Sequence, residues 1–280
     1  MLRLAVAILL LALPASTAAP KLQLPYDVEL DPAGRIFVAD GGRHQLLRWD
    51  ARRRQLIVTK SGLGEPTCLA FDRHGNVYLS DVANGVVRRI DSRGTLSTVA
   101  RLSRAAGVSV DPTGRYLAIA SFTRGIVRVE LASGTAETIA AIGDSGLTTP
   151  HGVAYAANGD LWIADTGGAV YRVRSGGPLE IVARVPAFRV VPLAGGGAYL
   201  ISGSPTGGHV DRLGPDGSLT RVAGTGRLGR HVDGIPAVRA GILPSDVAPL
   251  SRGRLLLTQT EPVPALRLID RSGRITTLLR

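Results

Sequence analysis

Short apolar segments and polar turns alternate along nearly the whole chain. The apolar segment 28–30 runs into Asp31-Pro32-Ala33-Gly34 and resumes over residues 35–39. In such a turn the Asp side chain accepts a hydrogen bond, Pro fixes φ and Gly tolerates a positive φ. Segments of this length, bounded by Gly, Pro, Asp and Asn, predict β-strands rather than helices.

This pattern occurs six times. Four copies align clearly and two weaker ones follow, so the units begin near residues 25, 66, 105, 150, 186 and 244. Each unit has room for four strands, and in three units a Gly-containing turn precedes the last strand, at 91–94, 215–217 and 270–273. Four antiparallel strands in each of six repeats predict an all-β fold, a six-bladed β-propeller. The last strand, residues 274–279, already belongs to the last repeat, so we expect the ring to close by face packing between blades 6 and 1.

Residues 1–18 have the layout of a secretory signal peptide. Arg3 precedes an apolar run, and Ser16 and Ala18 provide the small residues expected before a cleavage site. That run is too short to span a bilayer, and no later segment is apolar enough to do so. The sequence predicts a periplasmic or secreted protein in which residues 19–280 form one propeller domain without a membrane span.

Composition narrows the possible chemistry. Hydrophobic residues make up 45% of the chain and charged residues 20%, which is enough for a large core and too little charge for a disordered chain. The single cysteine, Cys68, excludes an intramolecular disulfide and a multi-thiolate zinc site. The net charge is +11, but the basic residues are nearly all Arg and are dispersed along the chain. Dispersed Arg is typical of a solvated surface, so we expect no nucleic-acid partner.

The predicted fold indicates where a site would lie. In a propeller blade the first strand lines the central channel, and the tight turns between strands 1–2 and 3–4 occupy one face. The longer loops between strands 2 and 3 lie on the opposite face (the loop face), around the channel mouth, and we expect function there. The pair of residues that directly follows each repeat start is expected to lie at this mouth. These pairs are Tyr26-Asp27, Thr67-Cys68, Ala106-Gly107, His151-Gly152, Ala187-Phe188 and Ser245-Asp246.

Three of these residues carry chemistry. Asp27 and Asp246 come from blades that become neighbours when the ring closes, and His151 comes from blade 4. Two carboxylates and an imidazole are suited to one divalent cation, zinc rather than calcium because of the nitrogen ligand, or to acid–base work. Alternatively, each side chain caps a strand entrance or bonds to backbone. Asp27, His151 and Asp246 are therefore the candidate site residues and candidate metal ligands.

Other polar residues of the loop face are candidates for ligand contact: Tyr26, Arg43, His44, Arg124 and His209. A carboxylate ends the second strand of three blades, at Asp40, Asp81 and Asp165. We expect these carboxylates to accept hydrogen bonds from the backbone of the loop that follows.

Segment 150–173 resembles an NHL repeat. It contains Pro-His-Gly-Val-Ala, then Asn-Gly-Asp-Leu-Trp-Ile-Ala-Asp, then Val-Tyr-Arg-Val, and the Gly-rich segment 223–247 is similar to the linker between bacterial NHL repeats. The resemblance covers nearly all of residues 24–280 and implies a six-bladed propeller. The wider six-bladed group also contains gluconolactonase-like and streptogramin-lyase-like enzymes, so the resemblance alone leaves the activity open.

Two functions follow. The favoured one is a non-catalytic, monomeric, exported propeller that binds a small molecule or a protein on its loop face. The alternative is a metal-dependent lactonase, hydrolase or lyase that holds one divalent cation. The lactonase resemblance implies Glu, Asn and Asp ligands, but Glu65 directly precedes Pro66, and His151 stands where the family's Asn is expected. The implied ligand set is incomplete.

Overall fold

The computed structural model describes residues 20–175 and 177–280. The chain forms six antiparallel sheets arranged as a β-propeller, so the predicted fold class is confirmed. Helical structure in the described ranges consists of short 3-10 turns at Val82–Asn84, Asp144–Gly146, Ala237–Arg239 and Ser251–Gly253. The predicted signal peptide, residues 1–18, lies outside the described residues.

Each blade contains four consecutive strands, and the sheet of blade 6 has a short fifth strand. Blades 1 and 2 contain β1 Pro25–Leu30, β2 Ile36–Asp40, β3 Gln45–Asp50, β4 Gln55–Lys60, β5 Pro66–Phe71, β6 Val77–Asp81, β7 Val86–Ile90 and β8 Leu96–Arg101. Blades 3 and 4 contain β9 Ala105–Val110, β10 Tyr116–Ser121, β11 Gly125–Glu130, β12 Ala136–Ala140, β13 Pro150–Tyr155, β14 Leu161–Asp165, β15 Ala169–Val173 and β16 Leu179–Ala183. Blades 5 and 6 contain β17 Arg189–Pro192, β18 Ala198–Ser204, β19 Gly207–Leu213, β20 Leu219–Ala223, a short β21 Ile235–Pro236, β22 Leu243–Leu250, β23 Arg254–Glu261, β24 Ala265–Ile269 and β25 Arg274–Leu279.

The turns between first and second strands form as their sequences predict. In blade 1 the Gly34 N–H donates to the Asp31 carbonyl at 2.8 Å, and Asp31 Oδ1 accepts from the Ala33 and Arg35 N–H groups at 3.0 and 2.8 Å. Gly34 adopts φ of +73°, a conformation that costs little without a Cβ. These tight turns cover one face of the ring.

The first strands of the blades surround the central channel. β1, β5, β9, β13, β17 and β22 contact one another in that order, and β22 returns to β1. A separate apolar cluster fills each interface between adjacent blades. At the closing interface Val28, Val38 and Leu47 of blade 1 pack with Ala248, Leu256 and Leu266 of blade 6. Blades 6 and 1 therefore close the ring by face packing, and no strand of residues 20–175 or 177–280 is exchanged between them.

The Gly-rich segment between blades 5 and 6 covers the outer edge of blade 6. Its short strand β21 pairs with β25 and gives this sheet a fifth strand. Arg267 on β24 is fully buried beneath the segment, where it donates to the Val232 carbonyl and to Asp233 Oδ1, both at 2.9 Å. The segment thus protects the rim strand that would otherwise present an unpaired edge.

Candidate functional site

An irregularity in the first strand divides the channel into two levels. In five blades the pairing register shifts after the first residue of that strand, for example between Pro25 and Asp27. A bulge of this kind re-aims the side chain of the extra residue. The bulged residues line a cavity at the channel mouth: Tyr26, Thr67, Ala106, His151 and Ser245. The residue that follows each of them lies one step deeper in the channel.

Blade 5 follows the same plan with an offset of one residue from the sequence alignment. The predicted mouth pair was Ala187-Phe188, but the structure places Phe188 at the mouth and Arg189 at the deeper level. Ala187 is instead buried in the apolar cluster between blades 4 and 5. The offset matters because it brings a guanidinium group into the channel.

The mouth cavity has a volume of about 400 Å³. Its walls are mainly apolar and include three aromatic rings, those of Tyr26, Phe122 and Phe188, together with Leu243. Polar groups lie at its margin, where the Tyr26 hydroxyl donates to Glu65 Oε1 at 3.3 Å. An apolar pocket with a few placed polar groups is the usual form of a small-molecule site.

His151 lies between two phenylalanines in this cavity. Its ring centroid is 5.2 Å from that of Phe122 and 5.8 Å from that of Phe188. Burial, followed by the nearby charge of Arg189, lowers the pKa of His151 to about 4, so the imidazole is neutral at pH 7. Its Nδ1 atom is buried without a hydrogen-bond partner among the described residues. The rings of Phe122, His151 and Phe188 form one aromatic wall, which we call the aromatic cluster.

The deeper level is closed by an ion pair across the channel. Arg189 Nη2 lies 3.3 Å from Asp27 Oδ2, and the same nitrogen donates to the Thr67 carbonyl. Both side chains are buried, with 6% of Arg189 and 3% of Asp27 exposed. Arg189 lines the mouth cavity and also a second cavity further along the channel, which we call the interior cavity.

Deep channel side chains also bond adjacent first strands together. Four side-chain atoms accept a backbone N–H from the next blade in the ring: Asp246 Oδ2 from Val28 at 3.3 Å, Asp27 Oδ2 from Leu69 at 3.2 Å, Cys68 Sγ from Val108 at 3.3 Å and Ser109 Oγ from Tyr155 at 2.9 Å. Between blades 4 and 5 the backbones approach directly, since a Cβ on Gly152 would lie 2.7 Å from the Phe188 carbonyl oxygen. These contacts hold the first strands of neighbouring blades together around the channel.

Burial changes the acidity of the deep groups. The pKa of Asp27 is raised by desolvation, although Arg189 offsets part of the shift. The pKa of Asp246 is raised well above its usual range by desolvation and by the neighbouring Asp27 charge. Desolvation also raises the pKa of Cys68 to about 12, so this thiol remains protonated and unreactive. Two close carboxyl groups beside one guanidinium are most stable when they share a proton.

The structure brings together only two members of the predicted Asp27, His151 and Asp246 site. The two aspartates interact in the deep channel, whereas His151 lies at the mouth, and Arg189 lines both levels. Among the residues that the structure describes, no group of three or more His, Cys, Asp or Glu side chains has an arrangement that could hold a metal ion. The bulge causes the separation, because it turns His151 away from the level occupied by the carboxylates.

The candidate binding-face residues divide in a similar way. Tyr26 lines the mouth cavity, and the other four lie outside its lining and have local partners. Arg43 Nη1 donates to the Lys21 carbonyl at 3.1 Å, and His44 Nδ1 contacts the Gly64 carbonyl. Arg124 Nη2 lies 3.5 Å from Thr138 Oγ1, and His209 Nε2 lies 3.3 Å from Asp211 Oδ2.

The carboxylates at the ends of second strands hold the links between blades. Asp40 accepts from the Gln23 and Leu24 N–H groups, both at 2.9 Å, and both of these donors precede β1. Asp40 also accepts from Arg43 N at 3.2 Å in the following loop, which was the expected contact. The main partner is therefore the segment entering the blade rather than the loop after it. In blade 5 Ser202 occupies the equivalent place and donates instead, to the Pro186 carbonyl at 2.6 Å.

Comparison with known proteins supports the fold. No family model matches the chain, and no curated protein matches its sequence. Among solved structures, an auxiliary nutrient binding protein from Bacteroides thetaiotaomicron superposes with a TM-score of 0.73 at 14% identity, covering 89% of this chain and 69% of that one. A virginiamycin B lyase from Staphylococcus aureus gives 0.64 at 13%, covering 91% and 83%. A gluconolactonase from Xanthomonas campestris gives 0.51 at 20%, covering 59% and 64%.

Fold and site together define the class of protein. The chain is a six-bladed β-propeller with a ligand-sized aromatic cavity at one mouth of its channel. Solved propellers that it resembles include both binding proteins and enzymes. In the described ranges, no helix is both long and apolar enough to cross a membrane.

Proposed function

We propose that this protein is an exported propeller of the NHL type that binds a small, partly apolar molecule in its mouth cavity without transforming it. The aromatic cluster of Phe122, His151 and Phe188 carries the proposal. The whole chain has four phenylalanines, and two of them line this one cavity. Aromatic rings supply most of the contact area in small-molecule sites, so their concentration here favours recognition of an apolar or aromatic group.

Polar groups at the margin would orient such a ligand. Tyr26 and Glu65 form a hydrogen-bonded pair on one side of the cavity, and the Tyr26 ring packs over Gly41, where a Cβ would lie 2.5 Å from the ring. Burial raises the pKa of Tyr26, with a further contribution from Glu65, so the hydroxyl keeps its proton at neutral pH. A ligand with a hydroxyl, amide or amine group can therefore donate to Glu65 while its apolar part contacts the aromatic cluster.

Catalysis is the second candidate, and one observation favours it. A neutral imidazole with an unpartnered nitrogen lines the same cavity and is able to accept a proton. A catalytic histidine usually has a third group that orients it, and no carboxylate bonds to His151 among the described residues. The carboxylates of the predicted site, Asp27 and Asp246, are occupied at the deeper level by Arg189 and by backbone N–H groups. These contacts support binding over chemistry.

Binding of an uncharged fluorescent probe tests the proposal. N-phenyl-1-naphthylamine brightens in apolar surroundings, and we expect saturable binding of one molecule per chain. Phe188→Ala should weaken that binding about tenfold, equivalent to roughly 1.4 kcal/mol, because it removes one wall of the cavity. Val58→Ala is the matched control, since Val58 is an exposed rim residue with 41% exposure. Equal affinity in all three proteins would contradict the proposal.

A further inference from the structure

A hydrogen-bond network joins the Gly-rich segment between blades 5 and 6 to the outer part of blade 6. Residues 230–236 of that segment, which we call the strap, lie against the buried guanidinium of Arg267. Arg267 Nη1 donates to Gln259 Oε1 at 2.8 Å and lies 3.5 Å from Nδ1 of His231, a strap residue. The Gln259 amide is oriented, because its Nε2 donates to the Val263 carbonyl at 2.9 Å. An imidazole and a fully buried guanidinium therefore meet where the strap is attached.

The partners of His231 fix the position of its proton. Thr277 Oγ1 donates to Asp233 Oδ1 at 2.8 Å, and an ionised carboxylate only accepts. The same hydroxyl therefore accepts from His231 Nε2, also at 2.8 Å. The other ring nitrogen, Nδ1, faces two donors, Gln259 Nε2 at 3.4 Å and the Arg267 guanidinium. This arrangement fits a neutral imidazole with its proton on Nε2.

A second proton on the ring is incompatible with these contacts. The new N–H on Nδ1 would point at the Gln259 and Arg267 donors, and the imidazolium would lie beside a buried positive charge. Charged side chains face His231 from three elements, and β23 contributes only the uncharged Gln259: they are Arg267 on β24, Arg280 after β25 and Asp233 on the strap. Asp233 already accepts two hydrogen bonds. Burial, followed by the charges of Arg267 and Arg280, lowers the pKa of His231.

The rest of the strap is attached by a few backbone contacts at the edge of β25. Its short strand β21 pairs with β25, and Gly234 N donates to the Ile275 carbonyl at 2.8 Å. The Arg274 guanidinium donates to the Gly234 carbonyl. Val232 is 41% exposed, so this part of the strap buries little apolar surface. A short exposed segment held mainly by hydrogen bonds opens locally at a small cost in free energy.

We propose that the strap is a pH-sensitive device, which lies closed on blade 6 while His231 is neutral and detaches when His231 takes up a proton. The proton comes from solvent and binds Nδ1, which faces donors in the closed strap. Detachment exposes the outer edge of β25, a backbone surface that can pair with another strand. This device does not depend on the function proposed for the mouth cavity.

Linkage between protonation and opening sets the pH range. In the detached strap His231 is solvated and titrates near its ordinary pKa of about 6.5, whereas in the closed strap its pKa is lower. The closed strap therefore has its full stability above about pH 6.5 and loses it as pH falls toward the lowered value. The pKa of Asp233 is itself lowered, despite partial burial, by Thr277 and Arg267, so this carboxylate stays ionised over that range.

Hydrogen–deuterium exchange of the full chain, corrected for the intrinsic rate, tests the proposal between about pH 7.5 and pH 5. We expect the opening constant of residues 230–236 to rise by up to about tenfold per pH unit below about pH 6.5, while β14 stays protected. His231→Gln cannot take up the proton, so this pH dependence should disappear. His74→Gln, the same change at an exposed histidine in a turn of blade 2, should keep the wild-type dependence.

A second variant distinguishes a weaker strap from one that has lost its response to pH. Thr277→Val removes the partner of His231 Nε2 and leaves the imidazole in place. We expect the opening constant to rise roughly fivefold at every pH, because one hydrogen bond is lost, and its pH dependence to remain.

Three outcomes would overturn the proposal. They are a wild-type opening constant that does not rise as pH falls, the same pH dependence in wild type and His231→Gln, and exchange of the strap only together with β14. Failure of the probe to bind in the mouth cavity, with the strap response intact, would contradict the proposed function alone and leave this inference standing.

Discussion

Replacing Arg189 by methionine tests the deep channel most severely. Arg189 Nη2 lies 3.3 Å from Asp27 Oδ2, and the guanidinium also donates to the Thr67 carbonyl on the opposite side of the channel. Methionine preserves much of the apolar volume and removes the charge and every donor. The change leaves Asp27 and Asp246 buried without a cationic partner.

The expected cost follows from the burial of both partners. Removing one member of a buried ion pair typically costs about 3–5 kcal/mol, because the other charge remains desolvated. For a domain of this size that corresponds to a melting temperature roughly 6–20 °C lower. The cost depends on pH in a defined direction. The pKa values of Asp27 and Asp246 are raised in the folded protein, so stability is lost as pH rises through those values, and the loss steepens without Arg189.

Thermal denaturation across pH measures both effects. We expect Arg189→Met to be much less stable than the wild type at alkaline pH and closer to it as pH falls, because protonation then removes the charges of Asp27 and Asp246. Arg212→Met is the control, because Arg212 is exposed on the outer part of blade 5, and its melting temperature should match that of the wild type. If Arg189→Met melts with the wild type at every pH, the ion pair does not stabilise the channel and the reasoning fails.

Four further predictions follow from the same contacts. Gly152→Ala should destabilise the fold by about 1–3 kcal/mol in urea denaturation, because its Cβ would lie 2.7 Å from the Phe188 carbonyl oxygen, whereas Gly195→Ala, with no atom within 4 Å, should not. A chain ending at residue 242 loses blade 6 and exposes the apolar faces of blades 5 and 1, so it should aggregate in size-exclusion chromatography; a soluble, cooperatively folding product would argue against a closed ring. His151→Ala should leave lactonase and lyase turnover at the background level of the wild type, and loss of a measurable activity would instead support the enzyme alternative. Mass spectrometry of protein from the native host should find a chain that starts near Ala19, and an intact Met1 on cytoplasmic protein would contradict export.

The fold could be predicted because its signals are local. Each blade repeats a short strand, an Asp- and Gly-containing turn and a second strand, and the Asp31–Gly34 turn forms through bonds within a few residues. Ring closure was also predictable, because the last repeat supplies all four of its own strands. Neither inference needs knowledge of distant contacts.

The site was predictable only in part, because two details change which residues face each other. Asp27 and Asp246 meet as expected from neighbouring first strands, but the bulge at the strand entrance turns His151 toward the mouth. Arg189 was missed because the blade 5 alignment started at Pro186. In the other blades a constant number of residues separates the start of the repeat from its first turn. Counting back the same number from the first turn of blade 5 places its start at Ala187. Alignment on the turns rather than on the prolines would have placed Arg189 in the channel.

The aromatic cluster combines residues that no single motif contains. Phe122 comes from the loop after β10, and His151 and Phe188 come from the entrances of two other blades. The sequence pattern marks each position as a loop or strand entrance but does not measure the distances between blades. Their proximity depends on the close approach of first strands at Gly152.

A crystal structure of the protein with bound N-phenyl-1-naphthylamine tests the central claim most directly. The account predicts electron density for one probe molecule in the mouth cavity, in contact with the rings of Phe122, His151 and Phe188, and lower probe occupancy there in Phe188→Ala at the same probe concentration. Density confined to other surfaces, or an empty mouth cavity in crystals where the probe is bound elsewhere, would contradict the claim that this cavity is the small-molecule site.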